Sequence, residues 1–274
     1  MGVVNVTPDS FSDGGRYLDP ERAIAHGLEL AAEGAAIVDV GGESTRPGAL
    51  PVEADEELRR VLPVVERLAA AETEARISVD TSKAIVATRA LEAGATFVND
   101  VTALRGDPEL ASVVAASGAD VCLMHMLGEP RTMQEDPRYD DVVSEVKAFL
   151  DQRLRYAVQQ GVDEERILLD PGIGFGKTLE HNLELIDRLD ELVALGRPVV
   201  IGASRKSFIG RITGRPDPAD RVSGTVAVNV LAYERGARVF RVHDVAPSRD
   251  ALAMAAATVS QRWTATTRPT SSTT

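Results

Sequence analysis

Residues 167–177 read ILLDPGIGFGK. Three apolar residues run into Asp170, followed by a proline, three glycines in five positions and a lysine. So short an apolar run, bounded by Pro and Gly, predicts a buried strand that ends at its carboxylate. The glycines allow a sharp turn and close approach of backbone to a ligand. Two phosphate-binding motifs fail here on spacing. A P-loop requires glycine five positions before Gly176, where Pro171 stands. A dinucleotide fingerprint starting at Gly172 and Gly174 requires glycine at 177, where Lys177 stands. Asp170 is thus either a helix cap or loop salt bridge, or a carboxylate fixed at a strand end for a ligand.

Outward from this stretch the same unit recurs. MGVVNV (1–6), AAIVDV (35–40), RISVD (76–80), TFVND (96–100), DVCLMH (120–125), RILLD (166–170), PVVIGAS (198–204) and RVFRVH (238–243) read as eight strands. Helices are expected between them. The first has Asp19 as N-cap and Pro20 at N1. The second spans about 53–72, and Pro63 should kink or split it. Others start at Ser82, behind the Asp107–Pro108 cap and near Ala219, and a last helix opens at Pro247 and reaches about Trp263. Six helices stop at a glycine just before a strand: Gly34, Gly94, Gly118, Gly161, Gly196 and Gly236. Eight β–α units imply a parallel α/β fold, closed either as a doubly wound sheet or as a (β/α)8 barrel. So many units without an evident linker favour a single-domain barrel over residues 1–263, with a Thr/Ser-rich tail, 264–274, expected to be disordered.

Composition narrows the function. The chain has 274 residues, 44% of them hydrophobic, and a formal net charge of −12 with no basic tract. Nucleic acid and anionic membrane are therefore not expected partners, while an anionic small molecule remains open because a few local cations can reverse the field in a pocket. Cys122 is the only cysteine, so no intrachain disulfide forms, and within VCLM it reads as a small core hydrophobe. No leader pattern and no membrane-length apolar run is seen, and a cytoplasmic protein is expected.

In a barrel the active site lies at the C-terminal strand ends. Those ends carry Asn5, Asp39, Asp80, Asn99, His125, Asp170, Ser204 and the pair Arg241 and His243. Asp80, Asn99 and Asp170 suit a neutral polar ligand rich in N–H donors, and Arg241, His243 and Lys206 suit an anion. Asp39 reads equally as a buried residue tying down the next loop, His125 as a satisfied core histidine, and His26 and His181 as surface residues on helices. No zinc cluster, nucleophile elbow or activated cysteine is present. A metal carried in with a phosphate-bearing substrate is easier to defend than a resident one.

The ordered blocks carry a resemblance. MGVVNVTPDSFSDGG (1–15) and VDVGGESTRPG (38–48) resemble the two signatures of the dihydropteroate synthase family. SVDT, VND, MHM-GEP-TMQ, LDPGIGFGK, ASRKSFIG and FRVHD resemble its further blocks in the same order, to about residue 260. The resemblance implies a (β/α)8 barrel, a homodimer, and a transferase that is the target of sulfonamides. The reaction would join 6-hydroxymethyl-7,8-dihydropterin diphosphate to p-aminobenzoate, with Mg2+, releasing diphosphate and making 7,8-dihydropteroate for folate synthesis. It places Asp80, Asn99, Val101, Met124, Asp170, Gly202 and Lys206 on the pterin, and Asn5, Arg241 and His243 at the diphosphate, Asn5 also as metal ligand. Phe11, Thr45, Pro47, Phe175 and Ser207 would face p-aminobenzoate, and Lys206, Arg241, Asp13 and Arg46 would serve catalysis. A methyltetrahydrofolate methyltransferase of the same barrel group and a non-catalytic pterin-binding paralogue are the alternatives. The SRKS and FRVHD blocks argue against the first and the two loop signatures against the second.

Overall fold

The computed structural model describes residues 1–7, 20–46 and 48–260. Six strands form one parallel sheet in chain order: β1 (Gly2–Asn5), β2 (Ile37–Gly41), β3 (Arg76–Asp80), β4 (Phe97–Asp100), β5 (Asp120–Met124) and β6 (Ile167–Asp170). Two shorter strands, β7 (Val200–Ile201) and β8 (Val239–Phe240), pair in parallel with each other. Single parallel bridges complete the ring, Leu169 to Val199 between β6 and β7, and Gly2 to Val242 between β8 and β1. The result is an eight-stranded (β/α)8 barrel. PVVIGAS and RVFRVH are thus less regular than their sequences suggest. From Gly202 the backbone leaves the ladder to carry Ser204–Ser207, and Val242 returns only for the closing bridge.

Side chains two apart in a strand share a face, and this separates the core into two parts. Inside the barrel, Phe97, Cys122, Leu168 and Val200 form an apolar plug with Met1, Ile37 and Val239. Outward-facing neighbours such as Val79, Val98, Leu123 and Leu169 join the large core under the helices. One step above the plug the interior turns polar. Asp39 is in register with Ser78, and Asp80 with Asn99, while Met124 stands beside Asp170.

The helices around the barrel are α1 (Pro20–Ala32), α2 (Ala54–Ala69), α3 (Ala84–Glu92), α4 (Leu110–Ser117), α5 (Val142–Gln159), α6 (Leu179–Asp187), α7 (Leu189–Val193), α8 (Ser207–Thr213), α9 (Val222–Glu234) and α10 (Val245–Ser260). The six stop glycines all stand at positive φ, between 66° and 107°. Several boundaries differ from expectation. Pro63 does not split α2, which runs through it as one helix with the hydrophobic face of Val61, Val64, Val65 and Leu68 buried on both sides. The sixth helix is divided at Arg188, whose guanidinium is tied to Asp141, Glu184 and Glu191. An extra short helix, α8, follows β7 and ends at Gly214. Helix α4 starts at Leu110, after the turn in which Asp107 accepts from the Glu109 amide, and α10 starts at Val245, two residues before Pro247. Asp19, Trp263 and the 264–274 tail lie outside the described residues. No described helix is long and apolar enough to cross a membrane.

Candidate active site

The turn after β6 is built by its glycines. Gly172 has φ +67°, and a Cβ there would stand 1.9 Å from the His125 carbonyl oxygen. Gly176 has φ +63°, and a Cβ there would come within 2.7 Å of the Leu127 carbonyl oxygen. Only glycine lets the turn lie this close against the end of β5. The turn is then pinned on three sides. The Gly172 amide donates to Asp170 Oδ1 at 2.6 Å, Gln134 Nε2 donates to the Gly174 carbonyl at 2.5 Å, and the Tyr139 hydroxyl donates to the Gly176 carbonyl at 2.9 Å. Lys206 Nζ reaches across to the Ile173 carbonyl and lies 4.3 Å over the Phe175 ring. Asp170 therefore caps its own turn with one oxygen and presents Oδ2 to the barrel mouth.

That mouth is a cavity of about 420 Å³. Asp80, Asn99 and Asp170 form its floor, Val101, Met124, Met133 and Phe175 its apolar wall, and Arg46, Arg205, Lys206 and Arg241, with the His243 imidazole beside them, a basic side. Asn5, Thr45, Gly202 and Ser207 also line it. Every described residue that the resemblance assigned to a substrate or to catalysis is thus brought to one cavity, whereas the strand-end residues Asp39 and His125 lie outside its lining. Phe11, Asp13 and Pro47 lie outside the described residues.

Beneath the floor sits Asp39, fully buried, which accepts from Ser78 Oγ at 2.6 Å, Asn99 Nδ2 at 3.2 Å and Arg241 Nε at 2.7 Å. It does not tie down the following loop, as IVDVGG had suggested; its place on β2 turns it into the barrel. It has two effects. With the Asn99 NH2 drawn onto a carboxylate, the Asn99 Oδ1 is left for a ligand. Arg241, which also donates from Nη2 to Asp80 Oδ2 at 2.7 Å, stands upright in the mouth. Of its five N–H donors two are engaged by these carboxylates, so three remain. Ser204 Oγ accepts the His243 amide at 3.1 Å and lies 3.0 Å from His243 Nδ1, which fixes the ring with Nε2 directed away from Ser204.

Burial and charge set the protonation states. Burial lifts the Asp80 carboxyl to about 7 against the pull of Arg241, with Asp39 adding to the rise. Burial likewise raises Asp170, opposed by the Gly172 amide and by Lys206. Burial, then the nearby Arg205, Arg241 and Arg46, hold His243 down at about 3, so it is neutral. Burial lowers Lys206 from 10.5 to about 7. The unfolded chain keeps that proton up to about 10.5, so the folded state is penalised fully below pH 7 and the penalty fades as pH rises to 10.5. Lys206→Met should accordingly melt at a higher temperature than the parent at pH 6, with a difference that shrinks as pH rises toward 10. A difference constant across that range would contradict the assignment.

Two histidines behave differently from each other. His125 is buried, and Lys177 Nζ stands 2.9 Å from its Nδ1 and donates to the Phe175 carbonyl at 3.0 Å, the satisfied core histidine anticipated. His181 is half-buried rather than freely exposed. Its Nδ1 accepts the Thr178 amide at 3.2 Å in a capping box that starts α6, and its ring packs on Tyr139. Sequence reasoning passed over Arg205 and Gln134, though the run SRK and the loop before α5 contained them.

Residues 1–243 match the family of pterin binding enzymes. The dihydropteroate synthase of Mycobacterium leprae is 50% identical over 258 residues, covering 92% of this chain and 90% of the relative. Among solved structures, the Yersinia pestis dihydropteroate synthase with a sulfonamide drug complex has a TM-score of 0.91 at 45% identity, over 95% of this chain and 94% of that one. The chain belongs to the dihydropteroate synthase family. The Xanthomonas albilineans dihydropteroate synthase in complex with 7,8-dihydropteroate has a TM-score of 0.85 at 48% identity, over 96% of this chain and 94% of that one. The dihydropteroate synthase fold thus extends across the described barrel, and the cavity lies at the strand ends where this fold class places its chemistry.

Proposed function

We propose that the strand-end cavity is where this dihydropteroate synthase joins 6-hydroxymethyl-7,8-dihydropterin diphosphate to p-aminobenzoate. The observation that carries the reading is the acceptor floor. Asp170 Oδ2 and Asn99 Oδ1 face the cavity because their neighbouring atoms are held elsewhere, by the Gly172 amide and by Asp39. A 2-aminopyrimidinone edge, rich in N–H groups, is complementary to such a floor. Val101 and Met124 would cover the ring faces, with Gly202 leaving room, since even an added Cβ there lies 3.8 Å from Asp170 Oδ2. The three free donors of Arg241 and the His243 imidazole would receive the diphosphate.

Asn5 lines the same wall, and its side chain makes no hydrogen bond among the described residues. No group of three or more carboxylate, His or Cys ligands stands among the described residues. One neutral oxygen donor therefore fits an Mg2+ that arrives with the diphosphate and keeps mostly phosphate and water ligands. When bound, that ion neutralises charge on the leaving group.

The C–O bond to the diphosphate breaks with its electron pair leaving on oxygen, aided by Arg241 and His243. The cation left at the pterin methylene is delocalised into the ring, where the Asp170 and Asp80 carboxyls of the floor would favour it. The arylamine nitrogen attacks that carbon, the C–N bond forms, and the nitrogen releases its proton to solvent water. No covalent enzyme intermediate is required. Phe175, Thr45 and Ser207 would border the arylamine, with Arg46 at the rim beside them; Phe11, Asp13 and Pro47 are assigned to this subsite by resemblance alone. Purified protein given both substrates and Mg2+ should form dihydropteroate and diphosphate one for one, and chelation should stop it. Substrate binding without product would support a pterin-binding paralogue instead.

The enzyme is further assigned to the cytoplasm, supported by its single cysteine, Cys122, buried and unbridged. It is assigned as a homodimer by its resemblance to the family. Sedimentation should give twice the mass of one chain.

A further inference from the structure

The loop after β2 enters the cavity as Glu43, Ser44, Thr45 and Arg46, and its root is gripped from outside the pocket. Gly42 is pressed against α2, since a Cβ there would stand 2.8 Å from Val61 Cγ1 and 3.2 Å from the Glu57 carbonyl oxygen. Arg60 Nη1, also from α2, donates to the Gly42 carbonyl at 2.8 Å. The next residue, Glu43, is bonded by Lys83 Nζ, and the same ammonium donates to Glu57 Oε2 at 2.5 Å. Glu57 is wholly buried on α2, so its charge depends on that ammonium. Lys83 itself is braced. It sits three residues after Asp80 in the β3–α3 turn, its amide donates to Thr81 Oγ1 at 3.2 Å, and the Ala84 amide donates to Asp107 Oδ2 at 2.9 Å. One fixed cation thus bridges a buried helix carboxylate and the first side chain of the substrate loop, on the turn that also carries a floor acceptor.

We propose that Lys83 is a positioning residue for the arylamine, tethering the 43–46 loop through Glu43 while Glu57 holds Lys83 in place. The proposal rests on the assignment of this loop to the p-aminobenzoate subsite. It also distinguishes the tether from an ordinary exposed ion pair. Removing a surface pair changes little, whereas losing this one frees the loop that borders one substrate and leaves the other substrate's acceptors in place.

The test uses the full chain and the variants Lys83→Met, Glu43→Gln, their combination and Lys83→Arg. In Lys83→Met, amide exchange over residues 43–52 of the substrate-free protein should quicken, and KM for p-aminobenzoate should rise about tenfold. Calorimetric affinity for the pterin diphosphate should stay within about twofold. Glu43→Gln should act in the same direction, the two changes should be far from additive, and Lys83→Arg should restore most of the KM. Should Lys83→Met fail to fold because Glu57 is stranded, Lys83→Met with Glu57→Leu removes the buried charge and should fold with the raised KM. Unchanged exchange, or equal losses for both substrates, would overturn the tether. Faster exchange with an unchanged KM for p-aminobenzoate would overturn the proposal differently, by showing that the loop does not serve the arylamine.

Discussion

Arg241→Met should destabilise the protein by about 3–5 kcal/mol, because it leaves the buried Asp39 carboxylate without its cation. Arg241 Nε and Nη2 each lie 2.7 Å from a carboxylate oxygen, on Asp39 and Asp80 respectively, and Asp39 has no exposed surface. The same substitution should weaken the pterin diphosphate by roughly a further 1.5–3 kcal/mol through lost charge-assisted hydrogen bonds, while a pterin without diphosphate loses much less. The two roles separate in a double variant. Adding Asp39→Asn removes the stranded charge, so the urea midpoint should recover in part while diphosphate affinity stays low. A double variant as unstable as the single, or one that regains diphosphate binding, would contradict this division of labour.

Arg241 also shows what was legible in the chain. Its spacing of two from His243 places both inside the barrel, and the same period puts Val3 with Asn5, Asn99 with Val101 and Gly202 with Ser204 on the cavity wall. Strand-end polarity and helix-stop glycines are local properties, so they survive in a linear reading. Asp39 was ambiguous because its three partners, Ser78, Asn99 and Arg241, come from three other strands, and only the register brings them together. The Glu43–Lys83–Glu57 tether was invisible for a similar reason. Glu57 sits in the run ADEELRR, where a charged residue reads as a solvated helix face until α2 is rolled onto the barrel. Pro63 did not split α2 because burial of the face around it outweighed propensity.

Asp170→Asn should lower kcat/KM at least about a hundredfold, equivalent to ~2.7 kcal/mol. The geometry forces the direction of the loss. Asp170 Oδ1 accepts the Gly172 amide at 2.6 Å, so an asparagine must keep its oxygen there and turn its NH2 into the cavity. A donor then faces the N–H groups of the pterin edge, and each unpaired buried group costs roughly 1–3 kcal/mol. The negative charge that favours the developing ring cation is lost as well. Folding should be kept, since the turn contact survives and burial already holds the Asp170 carboxyl above its usual range.

Binding of 6-hydroxymethylpterin, which lacks the diphosphate, isolates the acceptor floor from the anion side. Calorimetry on the parent and on folded Asp170→Asn should give an affinity at least about tenfold weaker in the variant, ~1.4 kcal/mol. Equal affinities in the two proteins would show that the pterin edge does not rest on Asp170.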